Sequence, residues 1–254
     1  MTFAPKKYFG QHFLKDSQKA QQIVSFLNLD KCDKIIEIGP GKGALTKFLI
    51  SLKADIKLIE IDSEAVDLLK SKFPNIEIIH ADFLKLDLHS IIWKEYNIIG
   101  NFPYNISTQI LFKILEHRDS IKEVVGMFQK EVAERICSET KSKKYGIPSV
   151  LIQAFFKCEK LLDLEENEFN PPPKVKSSVI KLRRNNVRDL GCDYKKFVEI
   201  VKTSFSQRRK KIKNALKNFT NFSDSNLDHI SSKRAEELSV SEFIELTNII
   251  SNSK

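Results

Sequence analysis

Five short apolar runs between residues 34 and 128 restrict the fold more than any other feature of this sequence. The runs are KIIEI, IKLIEI, IEIIHAD, NIIGN and EVVGMF, and stretches with helical spacing separate them. Short runs rich in β-branched residues are typical of buried strands, and their alternation with helical segments indicates βαβ units. The chain is therefore predicted to be an α/β protein with a parallel sheet covered by helices on both faces.

The first four runs each deliver a polar or glycyl group at the carboxyl end of the predicted strand. Glu37 with Gly39 ends the first run, and Glu60, Asp82 and Asn101 end the next three at intervals of about one βα unit. Ligands of open α/β sheets bind at the carboxyl edge of the strands. The sequence thus predicts a ligand site that these residues share.

The predicted secondary structure of the chain changes near Val187, beyond which no strand pattern remains. A helix is predicted around residues 130–139, and the stretches YGIPSVLIQAFFKCEKLLDL and SSVIKLRR predict a helix and two further strands. The segment NPPPKV lies between these two stretches and is predicted to be neither a helix nor a central strand, because prolines fix φ and remove hydrogen-bond donors. Beyond this point Phe197, Val201 and Phe205 follow helical spacing. The expected domains are residues 1–185, with the sheet, and residues 186–254, all helical.

Composition narrows the class of partner. The chain has 42 Lys and Arg against 33 Asp and Glu, a formal charge of +9, which favours a polyanion such as nucleic acid or a membrane surface, or else reflects a solvated surface. The four cysteines are scattered without a Cys-x-x-Cys pair, so neither a metal site nor a disulfide framework is expected. No signal sequence or membrane-spanning run is apparent, and a cytoplasmic protein is expected.

The segment EIGPGKGALT, residues 37–46, predicts a glycine loop between the first strand and a helix. Its glycines allow a tight turn and close approach of a ligand, but their spacing also satisfies the dinucleotide fingerprint G-x-G-x-x-G/A. Glu60 suits a ribose hydroxyl with either ligand, and a plain glycine turn is the third reading. Two carboxyl groups favour S-adenosylmethionine: Glu37 suits the amino-acid end of a zwitterion, and Asp82 suits an adenine amino group.

The segment NFPY, Asn101 to Tyr104, suits the exocyclic amine of an aromatic base. That amine is a weak nucleophile because its lone pair is delocalised, so it needs acceptors that draw its hydrogens out of the ring plane. Asn101 offers a side-chain oxygen and Phe102 a backbone carbonyl, whose direction Pro103 restricts. Tyr104 offers a flat face for a base taken out of its stack. The alternative is a proline turn in which Tyr104 only packs.

Seven segments together resemble the ribosomal RNA adenine N6,N6-dimethyltransferases, which modify two adjacent adenosines near the 3′ end of small-subunit rRNA. The resemblance spans nearly the whole chain and implies a Rossmann-like class I methyltransferase domain followed by a small helical RNA-docking domain. GQxFL, NxPY and FxPxPKV carry its specificity. The segments are KKYFGQHFL, EIGPGKGALT, IEID, HADFL, NFPY, FNPPPKV and FSQRRKKIKNAL.

The resemblance implies the roles of individual residues. The S-adenosylmethionine site would comprise His12, Leu14, Gly39, Glu60, Asp82 and Asn101, and the adenine would be held by Asn101, Tyr104 and Phe169, with Phe169 stacked opposite Tyr104. His12 departs from the family, which usually has Asn there, so its cofactor contact is less secure than that of Leu14. NFPY departs from the usual NLPY, where Phe102 is expected to matter little.

The basic segment QRRKKIKNALK is predicted to form one helical stretch with an apolar seam of Ile212, Leu216 and Phe219. A charge run is usually a solvated face, but beside an RNA-directed site it favours phosphate contacts. The residues expected to bind RNA are Arg208, Arg209, Lys210 and Lys211.

The expected activity is transfer of two methyl groups from S-adenosylmethionine to N6 of each adenosine in 16S rRNA of the small ribosomal subunit, by a monomer that binds neither metal nor membrane. Three alternatives stay open. One is a sister enzyme that methylates an adenine of large-subunit rRNA, against which FxPxPKV and the length argue. The others are a non-catalytic assembly factor, which intact NFPY opposes, and a nicotinamide-dependent dehydrogenase, which would leave NFPY and FNPPPKV without purpose.

Overall fold

The computed structural model describes residues 5–30, 32–88, 93–185, 187–220, 222 and 228–252. The chain divides into two compact units. The first comprises residues 1–133 and 157–184, and the second comprises residues 134–156 and 185–254. The break after Arg184 lies beside the predicted boundary at residue 185. Residues 134–156, expected in the sheet domain, instead cluster with the helical unit.

Nine strands are present in the described residues. They are β1 (Phe13–Leu14), β2 (Lys34–Ile38), β3 (Asp55–Glu60), β4 (Glu77–His80), β5 (Tyr96–Asn101), β6 (Ile121–Gln129), β7 (Phe156–Leu164), β8 (Phe169–Asn170) and β9 (Ser177–Arg184). The five apolar runs of the sequence form β2 to β6, as predicted. Strands β2, β5 and β6 are almost wholly buried and β3 is buried over its last three residues, whereas the edge strand β4 is only partly buried.

The main sheet has seven strands in the order β4, β3, β2, β5, β6, β9, β7. Strands β2 to β6 are parallel to one another, while β9 runs antiparallel to β6. The chain proceeds outward from β2 to β4 and then returns to place β5 beside β2. This change of direction is a topological switch point, where open α/β sheets form a ligand crevice at the carboxyl ends of the strands.

The register of the strands aligns the polar residues of that edge. Ile38, which precedes Gly39, pairs with Ile59, which precedes Glu60. Glu60 in turn pairs with His80, two residues before Asp82. Asn101 is the last residue of β5. The glycine loop, both carboxylates and the amide consequently start from one edge of the sheet.

A second, two-stranded sheet joins segments that are far apart in sequence. In it Phe13 pairs with Asn170 and Leu14 pairs with Phe169, antiparallel. The backbone of Lys15 extends the contact by donating to the carbonyl of Glu168 at 2.8 Å. The pairing brings GQHFL against FNPPPKV, which the spacing of the sequence did not predict.

The first unit contains helices α1 (Ser17–Ser25), α2 (Thr46–Leu49), α3 (Ser63–Lys72) and α4 (Ser107–Glu116), with 3₁₀ turns at Lys7–Phe9 and Glu166–Glu168. Aspartate side chains cap α1 and α3, whereas α2 and α4 have no side-chain cap. Asp16 accepts from the backbone N–H groups of Gln18 and Lys19, and Asp62 accepts from that of Glu64. Such side-chain acceptors satisfy N–H groups that have no partner within a helix.

The second unit is helical. It contains α6 (Ile147–Gln153), α7 (Tyr194–Ser206), α8 (Ile212–Ala215), α9 (Asp228–Ser231) and α10 (Val240–Asn252), with a 3₁₀ turn at Ala235–Glu237, while α5 (Lys130–Ile136) spans the division of the sequence between residues 133 and 134. Three aromatic rings meet in this unit, where Phe205 lies 6.1 Å from Tyr145 and 6.0 Å from Phe243 between ring centroids. Residues 134–156 belong here because Tyr145 and Phe155 pack against rings of α7, and α6 contacts both α7 and α10.

The basic segment does not form the single helical stretch that the sequence predicts. Helix α7 ends at Ser206, residues 207–210 form a turn, and Lys211 makes an isolated bridge with Arg234 before α8 begins. Of the predicted apolar seam, Ile212 and Leu216 are fully buried, whereas Phe219 is only partly buried. Lys211 has an extended backbone, with φ of −65° and ψ of 150°, which interrupts a helix through the charges.

Among the described ranges, no helix combines the length and hydropathy that a bilayer crossing requires. The same residues contain no cluster of three or more His, Cys, Asp or Glu side chains arranged to hold a metal ion.

Candidate active site

A cavity of about 200 Å³ opens at the carboxyl edge of the first unit's sheet. It brings together residues from the four loops that follow β2, β3, β4 and β5 and from the N-terminal segment. Of the predicted site residues, the cavity is lined by His12, Gly39, Glu60, Asp82, Asn101 and Tyr104.

The glycine loop forms one wall of this cavity. Gly39 has φ of +65°, and a Cβ atom built on it meets nothing within 4 Å, so the side of the residue that faces the cavity is empty. Gly41 has φ of +53°, and a Cβ there would lie 2.6 Å from Cε1 of Phe13. Larger residues at Gly41 would therefore push the N-terminal segment off the loop.

Glu60 holds the backbone around the site. Its side chain is 4% exposed, and its carboxylate accepts from the backbone N–H groups of Gly41 at 3.0 Å, Ile61 at 2.9 Å and Asp62 at 3.0 Å. Burial raises the pKa of Glu60, and the three backbone hydrogen bonds lower it, with burial prevailing. A carboxylate offers about four lone-pair directions, so capacity remains for one further donor.

Glu37 does not lie where the sequence predicts it, which is beside the amino-acid end of a ligand in the cavity. It is 1% exposed, does not line the cavity, and accepts a 2.6 Å hydrogen bond from the Thr46 hydroxyl at the start of α2. Burial raises the pKa of Glu37 to about 8, partly offset by the bond from Thr46. The group therefore joins β2 to α2 beneath the glycine loop.

Asp82 lies in a turn whose backbone carbonyls accept hydrogen bonds from a buried lysine. Its carboxylate accepts from the backbone N–H of Leu84 at 2.9 Å. Lys113 on α4, which is 9% exposed, donates to the carbonyls of Leu84 at 3.0 Å and Leu86 at 2.6 Å. Burial lowers the pKa of Lys113, and neighbouring carboxylates including Asp82 oppose that shift. No sequence pattern indicated a role for this lysine, because its partners are main-chain carbonyls of another βα unit.

Asn101 is anchored by the N-terminal segment. Its Nδ2 donates to the backbone carbonyl of His12 at 2.6 Å. Because Nδ2 is used in this way, the side-chain oxygen is the atom of the amide left to act as an acceptor within the cavity.

Tyr104 is half-buried, and both its hydroxyl and its ring have partners. The hydroxyl hydrogen-bonds with that of Ser177, a fully buried residue of β9. The ring lies 5.6 Å from the imidazole of His12 between centroids, with an angle of 25° between the planes. Burial raises the pKa of Tyr104, and the bond to Ser177 moderates the shift. Tyr104 is thus a neutral, oriented aromatic surface.

Phe102 has a larger structural role than the sequence suggests. Its side chain is fully buried and meets Phe128 at 5.1 Å between centroids, nearly edge to face. A Cβ on Gly100 would lie 2.7 Å from Cε1 of Phe102. The ring therefore fills space that glycines leave above the sheet, which fixes the loop that carries Asn101 and Tyr104.

Leu14 and Phe169 do not line the cavity, in contrast to the roles that the family resemblance implies. They are 7% and 1% exposed and belong to one hydrophobic cluster with Ile23, Ile99 and Val179. They are also paired across the two-stranded sheet. In this structure Phe169 packs within that cluster, and His12 makes the aromatic contact with Tyr104.

The N-terminal segment is tied to the far side of the cavity by residues that sequence reasoning missed. Lys6 forms ion pairs with Asp62 at 2.6 Å and Glu64 at 3.0 Å, and Gln11 donates to Asp62 at 3.0 Å. Burial disfavours ionised Asp62, but the bonds from Lys6 and Gln11 outweigh burial and lower its pKa. The sequence feature that could have indicated this contact is Asp62, the acidic residue that follows Ile59, Glu60 and Ile61.

The charge of the lining distinguishes between ligand classes. Glu60 and Asp82 contribute carboxylates, and the described residues that line the cavity include neither Lys nor Arg. A pyrophosphate would meet carboxylates without a cation to neutralise it, whereas a ligand with a positive sulfonium and several N–H and O–H donors matches these acceptors. The empty space above Gly39 leaves room for such a ligand against the loop.

The basic residues of the second unit separate into two kinds. Arg208 pairs with Glu236 and donates to the carbonyl of Lys143 at 2.7 Å, so it links parts of the helical unit. The side chains of Arg209, Lys210 and Lys211 are exposed.

Comparisons with known proteins agree over nearly the whole length. A family model described as Ribosomal RNA adenine dimethylase matches residues 2–252. Ribosomal RNA small subunit methyltransferase A of Cytophaga hutchinsonii is 52% identical over 251 residues, covering 97% of each chain. The protein of that name from Porphyromonas gingivalis is 42% identical over 255 residues, covering 98% of this chain and 99% of the relative.

Solved structures agree in fold. A dimethyladenosine transferase from Plasmodium falciparum superposes with a TM-score of 0.83 at 26% identity, covering 95% of this chain and 98% of that one. The 23S rRNA methyltransferase ErmE gives 0.71 at 24% identity, covering 93% and 99%, a likeness of fold alone. The predicted Rossmann-like methyltransferase fold is confirmed, and the chain belongs to the ribosomal RNA adenine dimethylase family.

Proposed function

We propose that this protein is an S-adenosylmethionine-dependent RNA (adenine-N6,N6)-dimethyltransferase that modifies two adjacent adenosines near the 3′ end of 16S rRNA during small-subunit biogenesis. Membership of the dimethylase family supports the reaction class. The observation that carries the proposal is the meeting of Asn101 and Tyr104 with Glu60 and Asp82 around one cavity that has neither Lys nor Arg among its described lining residues.

The residues of the first unit suit the proposed cofactor. Gly39 gives room against the loop, Glu60 has acceptor capacity for a ribose hydroxyl, and Asp82 is an acceptor for an adenine amino group. When bound, S-adenosylmethionine supplies an electrophilic methyl group on a positively charged sulfur. Leu14, buried beneath this wall, supports it through packing.

The target adenine would leave its stack and lie on Tyr104. Its amine would then face the side-chain oxygen of Asn101 and the carbonyl of Phe102. Two acceptors hold both N–H hydrogens and turn the nitrogen lone pair away from conjugation with the ring. Positioning of this kind lowers the barrier without a strong base, because the amine becomes acidic only after it has gained a methyl group.

The same geometry permits a second transfer. After the first transfer the amine has lost one proton and retains one N–H, for which one of the two acceptors suffices. Asn101, fixed by its bond to the His12 carbonyl, would orient the remaining hydrogen.

We propose that Arg209, Lys210 and Lys211 contact RNA phosphates, since their exposed cationic groups suit counterion release. Arg208 would support this turn through Glu236. The substrate would be 16S rRNA within small subunits, met in the cytoplasm, with the enzyme acting as a monomer.

The proposal is tested by incubating purified protein with unmethylated small subunits and isotopically labelled S-adenosylmethionine, followed by mass spectrometry of fragments from both rRNAs. We expect N6,N6-dimethyladenosine at two adjacent positions near the 3′ end of small-subunit rRNA. Label in large-subunit rRNA alone would identify the sister activity, and absence of label would indicate an assembly factor. Calorimetry should show binding of S-adenosylmethionine and none of NAD.

A further inference from the structure

The imidazole of His12 is held between two motifs of the first unit. Its ring lies against Tyr104 with 5.6 Å between centroids and 25° between planes. Its Nδ1 lies 2.8 Å from the backbone carbonyl of Pro171. A carbonyl only accepts hydrogen bonds, so Nδ1 carries the hydrogen in this contact. The ring therefore has a defined orientation, set by NFPY on one side and by FNPPPKV on the other.

His12 also belongs to the cavity through its backbone. Its carbonyl accepts from Nδ2 of Asn101 at 2.6 Å, and His12, Asn101 and Tyr104 all line the same space. The contact with Tyr104 is thus made where the target base would be presented to Asn101.

The spacing of the two rings excludes a base between them. Stacked bases of a nucleic-acid strand are separated by about 3.4 Å, so a base between two rings requires about 6.8 Å. The observed separation of 5.6 Å is smaller. A base that stacks on this face of Tyr104 must therefore move the imidazole and break its bond to Pro171.

We propose that His12 occupies the base site of the RNA-free protein, so that its imidazole covers Tyr104 and is displaced by the target adenine. This inference rests on the proposed function, in which Tyr104 is the stacking surface. Displacement costs one aromatic contact and one hydrogen bond, whichever base enters. An adenine offsets this cost through stacking and through its amine bonds to Asn101.

The test compares His12→Ala, His12→Asn and His12→Phe with the wild type. Ala and Asn remove the ring, and we expect the KM for small-subunit RNA to fall roughly fivefold, the factor that corresponds to one aromatic contact. Phe keeps a ring without the bond to Pro171 and should lie between. His229→Ala, which changes an exposed histidine of the helical unit, serves as the control.

Two further measurements separate this role from others. In the RNA-free protein, the His12 ring protons should show a ring-current shift by NMR that disappears in Tyr104→Ala, which tests the contact without activity. Affinity for S-adenosylmethionine by calorimetry should be unchanged in His12→Asn. Weakened cofactor binding with an unchanged KM for RNA would make His12 a cofactor residue and overturn the inference. An unchanged KM for RNA in His12→Ala with unchanged cofactor binding would overturn it as well. A wild type that transfers no methyl group would instead overturn the proposed function.

Discussion

The side-chain amide of Asn101 donates a 2.6 Å hydrogen bond to the backbone carbonyl of His12. The bond joins the end of β5 to a segment 89 residues earlier in the chain, and it determines which atom of the amide is presented to the cavity. The orientation of the proposed catalytic acceptor therefore depends on the N-terminal segment.

Replacement of Asn101 tests this acceptor. Asn101→Ala should lower kcat by about 10²- to 10³-fold, the cost of removing one preorganised hydrogen-bonding group, while RNA affinity by filter binding stays near that of the wild type. Asn101→Asp retains acceptors but cannot donate to His12, so it should also be strongly impaired. An Asn101→Ala variant with at least half of the wild-type kcat would exclude the assigned role.

Tyr104 and Ser177 should behave as a coupled pair. Tyr104→Phe and Ser177→Ala each remove their hydrogen bond but keep the aromatic surface, so kcat should fall by no more than about tenfold, the scale of one hydrogen bond. The double variant should be little worse than either single one. Tyr104→Ala, which loses the ring, should be far less active. If the Phe and Ala variants are equally inactive, the hydroxyl has a chemical role.

Lys113 should affect cofactor binding more than turnover. Lys113→Met removes the ammonium group that holds the carbonyls of Leu84 and Leu86, and the Asp82 turn should loosen. We expect the KM for S-adenosylmethionine to rise about tenfold, as for a lost hydrogen bond to a charged group, with a smaller change in kcat. Lys113→Arg should restore part of the loss. Lys122→Met, at a surface ion pair with Glu95, is the matched control, and an equal KM in both Met variants would contradict this role.

Glu37 should make stability depend on pH. Burial raises its pKa to about 8 in the folded protein, well above the ordinary value of about 4.3 in an unfolded chain. The folded state therefore binds the proton more tightly, and its contribution to stability is complete below about pH 4.3 and decreases as the pH rises towards 8. Glu37→Gln keeps an acceptor for Thr46 and should flatten this decrease by more than about 1 kcal/mol, measured by urea unfolding from pH 5 to pH 8. Parallel pH profiles of the two proteins would refute the assignment.

The basic turn should separate docking from folding. The triple variant Arg209→Gln, Lys210→Gln, Lys211→Gln should reduce the slope of log K against log salt for RNA by about 2 to 3, at 0.7 to 0.9 for each phosphate contact, without altering stability. Arg208→Gln should instead lower the free energy of unfolding by up to about 1 kcal/mol, because its partly exposed pair with Glu236 is lost. A salt slope that is unchanged in the triple variant would identify a solvated surface.

The sequence by itself determined the parallel strands and the edge at which the site lies. Apolar runs long enough to be buried specify β2 to β6, and the rule that ligands bind at the carboxyl ends of parallel strands then places Gly39, Glu60, Asp82 and Asn101 together. These predictions rest on local sequence patterns, so they do not depend on how the helices pack against the sheet. The motifs also indicated the family, which the comparisons confirm.

Only the tertiary structure decided which residues of those motifs face the cavity. Phe169 and Leu14 are buried by pairing across a two-stranded sheet, and His12 contacts Tyr104 because that sheet brings Pro171 close. Lys113 and Asp62 act through main-chain groups and distant partners, which leave no periodic signal. The basic run is divided by a turn because Ile212 enters the helical core and Arg208 pairs with Glu236. Such contacts join residues far apart in the chain, so their geometry depends on packing that no local pattern encodes.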